Sequence, residues 1–120
     1  MDLNWWTLDD VWSKLQLEEK EVLTEDARRA ILRCHDFLQE KIAHPDSGAI
    51  YGVNTGFGDL ADARVDFDSL QALQRNILVS HACGVGEDVP ELIVRAMLLL
   101  KIKSLSKGHS GVQLATVERL

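Results

Sequence analysis

The only tyrosine of the chain lies in a glycine-rich run, Tyr51-Gly52-Val53-Asn54-Thr55-Gly56-Phe57-Gly58. Three glycines in eight residues make a loop that can move and can take positive φ. On pattern alone, a tight turn with a packed tyrosine is the plainer reading. Part of the same run, Gly56-Phe57-Gly58-Asp59-Leu60-Ala61, fits the loose form G-x-G-x-x-G/A, in which backbone amides cradle a dinucleotide pyrophosphate. That chemistry needs a strand before the glycines, a helix opening on them and a second buried strand. Residues 49–53 are strand-like, but Asp62 to Asp68 carries a charge at every other position and leads into another helix. The context argues against nucleotide binding.

The histidines His35, His44, His81 and His109 show no H-x-x-x-H spacing, so no metal site is expected. His35 and His109 read as structural or exposed. His81, in Ser80-His81-Ala82-Cys83-Gly84, falls at the end of a helix, where a packed or capping histidine is the plain reading. No G-x-S-x-G elbow occurs, which disfavours a serine hydrolase. Cys34 and Cys83 lie far apart without C-x-x-C spacing and read as free thiols of a reducing cytoplasm.

The elements that must position these groups are mainly helical. Thr7 to Leu15 reads as a short helix with Leu8, Val11, Trp12 and Leu15 on one side. Gln16 to Val22 reads as extended. Thr24 is a good N-cap, followed by Glu25 and Asp26 where negative charge suits the helix dipole. Ala27, Ile31, Cys34, Leu38 and Ile42 then recur at helical spacing until Pro45 and Gly48. Residues 49–53 read as a brief strand. Asp68 is the expected cap of a helix bearing Leu70, Leu73, Ile77 and Leu78. Pro90 marks the start of a helix from Glu91 to Ser106. That helix is apolar nearly all round, which calls for cover on every side. Gly108 stops it, and Ser110 is the expected cap of a last helix with Val112, Leu114, Ala115, Val117 and Leu120. One small domain can hardly cover the helix from Glu91, so partner chains or further sequence are expected.

Bulk properties narrow the class. The chain has 120 residues, 46% hydrophobic and 27% charged, with mean hydropathy −0.07, which excludes a disordered chain and a membrane span. The N-terminus lacks the basic and long apolar regions of a signal peptide. Net charge is −6, and the one basic cluster, Lys101, Lys103 and Lys107, reads as a solvated last helical turn favoured by the dipole, so no nucleic-acid partner is expected.

Taken together, several segments resemble the aromatic amino acid ammonia-lyase family. Tyr51 to Gly58 is similar to that family's mobile tyrosine loop. Leu73-Gln74-Arg75-Asn76 followed by Ser80-His81-Ala82-Cys83-Gly84 resembles its substrate-selectivity segment. Lys101-Ile102-Lys103-Ser104-Leu105-Ser106 followed by Gly108-His109-Ser110-Gly111-Val112 resembles the next stretch. The match runs from about Thr7 to Leu120 in one register. Each motif is weak alone, and the set is specific. The Ser80-His81 pair resembles histidine-specific members, where phenylalanine lyases tend to carry Phe-Leu and tyrosine lyases His-Leu.

The resemblance implies a carbon–nitrogen lyase that eliminates ammonia from L-histidine without oxidation, giving urocanate. It implies a cytoplasmic homo-oligomer, a homotetramer whose active sites combine several subunits, with no membrane partner. It assigns Tyr51 a proton-transfer role and makes Gly52, Asn54, Gly56 and Gly58 its flexible loop. Ser80 and His81 would bind substrate, with His81 meeting the imidazole. A free tyrosine ionises near pH ~10, so a tyrosine base at neutral pH needs positive dipoles around it. The family's electrophile is methylidene-imidazolone, made from an Ala-Ser-Gly triplet. No such triplet occurs here: the Ser-Gly pairs follow Asp46 and His109. The expected architecture is therefore one N-terminal helical domain of the ammonia-lyase/aspartase-like fold, residues 1–120, incomplete and ending before the central long-helix bundle, with no cofactor of its own and catalytically incomplete alone. Two alternatives stay open: a non-enzymatic interaction or ligand-binding module derived from such an N-terminus, and a related aromatic amino acid lyase or aminomutase.

Overall fold

The computed structural model describes residues 1, 4–17, 21–44 and 46–120. It is mostly helical, with no strand among the described residues beyond an isolated antiparallel bridge between Thr55 and Arg64. Five α-helices follow in order: α1 (Leu8–Gln16), α2 (Glu25–Ala43), α3 (Leu70–His81), α4 (Glu91–Leu105) and α5 (Leu114–Arg119). The chain divides into two compact units, one formed by Met1–Leu38 with Asp88–Leu120, the other by Gln39–Glu87.

In the first unit the helix starts follow from side chains in the sequence. Thr7 Oγ1 accepts from the Asp10 amide at 3.2 Å, and Asp10 Oδ2 accepts from the Thr7 amide at 2.7 Å. This reciprocal pair satisfies two otherwise orphaned donors at the start of α1. Thr24 caps α2 as expected, its Oγ1 accepting from Ala27 N at 3.3 Å. The core gathers Leu15 of α1, Leu23 just before α2, Ala27 and Ile31 of α2, Leu99 and Leu105 of α4, and Val117 of α5. α1 packs on α4. The end of α4 lies close against α2 because both sides are small. Gly108 has φ +70°, and a Cβ there would fall 2.5 Å from the backbone of Ala30. His35 Nδ1 is 2.9 Å from the Gly111 carbonyl and ties α2 to the segment after α4. His35 is thus structural, and His109 is exposed.

Lys103 corrects the expectation of a solvated basic turn. It is only 8% exposed, with its ammonium 4.2 Å from the ring centre of Trp6. An aromatic face stabilises a cation that burial has stripped of water. Burial pushes the Glu21 carboxyl up, but the hydrogen bond and charge of Lys14 and the N-terminal ammonium outweigh it, so the group ionises below its usual range.

The last helix also differs from expectation. Ser110 does not cap it; α5 begins only at Leu114, after an extended Gln113. Of the extended stretch expected over 16–22, Gln16 closes α1 and Leu17 is extended, while residues 18–20 lie outside those described. Pro45, expected to help end α2, also lies outside them; α2 ends at Ala43.

The second unit is built differently. No hydrophobic side chain in it is buried among the described residues; the buried side chains are Ser47, Asn54 and Thr55. Hydrogen bonds, rather than an apolar core, fix its loop. Residues 49–53 do not form the expected strand. Residues 51–54 are a turn, because the Ile50 carbonyl accepts from both Val53 N and Asn54 N, at 3.0 and 3.2 Å. A 3-10 turn, Gly58–Leu60, follows where a dinucleotide fold would open an α-helix. A second 3-10 turn, Phe67–Ser69, leads into α3. Asp68 therefore sits inside that turn and makes no cap, contrary to expectation. Cys34 and Cys83 are free.

Candidate active site

The second unit holds all of the expected site residues. Asn54 pins its loop from within. Its Oδ1 accepts from Ile50 N at 2.7 Å, its Nδ2 donates to Gly48 O at 3.1 Å, and its carbonyl accepts from Val65 N at 2.8 Å. Thr55, fully buried, accepts from Gly52 N at 3.2 Å and donates to Gly56 O at 3.0 Å through one hydroxyl. Buried polar groups are tolerated only when paired in this way. Gly52 sits at φ +70°, and a Cβ there would fall 2.9 Å from a ring carbon of Phe57. Gly56 and Gly58 complete the loop, Gly58 opening the 3-10 turn.

This turn presents Tyr51, 63% exposed, to one side of Phe57. The two rings meet edge to face, centroids 5.3 Å apart and planes at 73°. Phe57 meets His81 in the same way, at 5.7 Å and 69°. Phe57 thus joins Tyr51 on the loop to His81 at the end of α3. Edge-to-face pairs of this kind fix ring orientation as well as contact.

His81 Nδ1 lies 2.9 Å from the Ile77 carbonyl, which can only accept and is satisfied by a proton on Nδ1. Ser80 Oγ also donates to Ile77 O, at 3.0 Å, and lies 3.0 Å from His81 Nδ1. With a proton on Nδ1 alone, Nε2 of His81 is an acceptor. A ring with an N–H to give is the complementary partner.

Among the described residues no group of three or more His, Cys, Asp and Glu could hold a metal ion. A cleft of 590 Å³ in the first unit is walled by apolar residues such as Leu15, Leu99 and Val117, and neither Tyr51 nor His81 lines it. Its charges include the pairs Lys14–Glu21 and Arg28–Glu118.

Sequence reasoning missed the groups that hold the site. In the sequence Gln74 stands out only as a member of the segment Leu73-Gln74-Arg75-Asn76. Its Nε2 donates to Val53 O at 3.0 Å and Gly52 O at 3.3 Å. The signal was there in its spacing, two helical turns before His81 and so on one face of α3. Phe57 and Thr55 gave no signal beyond membership of the loop.

The mostly helical fold is consistent with an N-terminal portion of the aromatic amino acid lyase family. The family model for aromatic amino acid lyases matches residues 6–120, and the chain belongs to that family. It is similar to proteins named histidine ammonia-lyase: 44% identical to that of Deinococcus radiodurans over 119 residues, 99% of this chain. To that of Symbiobacterium thermophilum it is 39% identical over 114 residues, 95% of the chain. To that of Geobacillus thermodenitrificans it is 47% identical over 95 residues, 79% of the chain. The chain spans about a fifth of the length of these curated relatives, 22%, 22% and 18% respectively.

Proposed function

We propose that this chain is the N-terminal part of a cytoplasmic histidine ammonia-lyase, an oligomeric enzyme that eliminates ammonia from L-histidine to give urocanate. The observation that carries the reading is the row Tyr51–Phe57–His81, in which a phenol and an imidazole both contact one ring. His81 Nε2 accepts a hydrogen bond from the N–H of the substrate imidazole, an interaction that an apolar side chain cannot make. Tyr51 moves a proton during loss of the weakly acidic β-proton and of the amine. The names of the relatives support histidine as the substrate.

The family's methylidene-imidazolone does not fit these residues. Ser47-Gly48 follows Asp46, and its serine is buried; Ser110-Gly111 follows His109, and its glycine carbonyl is engaged by His35. No step through that group is assigned to them. The 120 residues alone, incubated with excess histidine, should therefore leave urocanate absorbance at the level of a no-protein control; turnover above that level refutes catalytic incompleteness.

The substrate assignment is tested in the full-length enzyme by replacing Ser80→Phe together with His81→Leu. A buried imidazole left without its partner costs about 1–3 kcal/mol, so discrimination for histidine should fall roughly 5- to 150-fold. Phenylalanine has no polar ring atom to satisfy and loses little or gains. The measured quantity is the ratio of kcat/KM for histidine over phenylalanine, from urocanate and cinnamate absorbance. An equal loss on both substrates would mean that His81 holds the helix end and does not select histidine.

A further inference from the structure

We infer that Gln74 is a positioning residue for Tyr51, holding the tyrosine loop to the helix that carries His81. A carboxamide nitrogen has two N–H bonds, and Gln74 Nε2 faces two successive carbonyls, Val53 O at 3.0 Å and Gly52 O at 3.3 Å. Gly52, which carries the second of these carbonyls, directly follows Tyr51 in the chain. The other hydrogen bonds of the turn run within residues 48–56 or reach Val65, so across to α3 the loop is held by Gln74 and by the ring contact of Phe57 with His81. Gln74 supplies the hydrogen bonds of that placement, and they fall on the backbone next to Tyr51. It stands two turns before His81 on α3, so one helix sets the positions of both the loop and the imidazole. Because Gln74 is exposed, its loss should release the loop with little effect on the rest of the fold. A proton-transfer group displaced by about 1 Å loses on the order of 100-fold in rate, so small releases matter.

The inference rests on the proposed lyase reading, and its test separates the two. In the full-length enzyme, Gln74→Met removes both donors at similar side-chain length, and Gln74→Glu keeps the shape while turning a carboxylate toward the two carbonyls. Turnover of histidine is measured for the wild type, Gln74→Met, Tyr51→Phe and the double variant, and hydrogen–deuterium exchange is followed over residues 51–58 and 91–105. Gln74→Met should lower kcat roughly 10- to 100-fold and leave KM within about threefold. It should cost nothing further once the Tyr51 hydroxyl is gone, because a residue acting through that hydroxyl has nothing left to position. Exchange over 51–58 should quicken in both Gln74 variants and stay unchanged over 91–105. A full, additive loss in the Tyr51→Phe background, or unchanged exchange in the loop, overturns the inference. If the wild type turns over no histidine, the lyase reading falls, and the exchange result still decides whether Gln74 holds the loop.

Discussion

At the scale of single residues, a phenol transfers a proton only if its hydroxyl, and not merely its ring, is placed at the reacting atoms. Tyr51→Phe separates the two, since it keeps the edge contact with Phe57 at 5.3 Å and removes only the oxygen. In the full-length enzyme turnover should drop by at least ~100-fold, the low end for a positioned acid or base, with little change in substrate affinity. Near-normal turnover would leave Tyr51 as a packing residue. The chemical types at this site were legible in the sequence, because Tyr51 and Ser80-His81 stand in distinctive local strings. Their partners were not. Gln74 bonds to carbonyls that any sequence possesses, and Phe57 earns its place only once the loop has turned. Lys103 misled for the same reason: its charge reads as solvated until Trp6, far away in sequence, comes to lie under it.

At the scale of elements, α1, α2 and α4 were legible because capping residues and apolar spacing are local properties. Thr7, Thr24 and Pro90 each mark a start that the structure keeps. The strand expected over 49–53 was not kept, since β-branched Ile50 and Val53 suggest extension while the Asn54 side chain draws the Ile50 amide into a turn. Ser110 failed as a cap because Gly111, at φ +68°, keeps the chain out of helix there. The same kind of backbone constraint makes Gly108 a sensitive position. Alanine there meets a left-handed φ and places a Cβ 2.5 Å from the Ala30 backbone, which cannot give way as a side-chain tip can. Together these should cost about 2–4 kcal/mol. Gly48→Ala, with nothing within 4 Å, should stay within about 0.5 kcal/mol of the parent. Urea unfolding followed by circular dichroism compares the two; equal midpoints would show that α2 and the end of α4 do not approach so closely.

At the scale of the whole molecule, the apolar helix α4 raises the question of what covers it. Within its own unit only Leu99, Lys103 and Leu105 are buried, while Leu92, Ile93, Val94, Met97, Leu98 and Leu100 remain 38–63% exposed. A helix apolar nearly all round thus leaves many of its large apolar side chains at the surface. The relatives are about five times longer than this chain, which leaves ample polypeptide in such proteins to cover the rest. In solution, the 120 residues alone should therefore self-associate or bind hydrophobic dye, because contiguous apolar patches beyond a few hundred Å² drive association. Sedimentation velocity across a range of concentrations reads the first outcome, and dye fluorescence the second. Replacing Ile93 and Met97 by glutamate, both at least half exposed, should suppress either signal without loss of helix, since neither contributes to the buried core. A chain that sediments as a monomer at high concentration and leaves the dye dark would mean that the exposed side of α4 is covered by the chain itself.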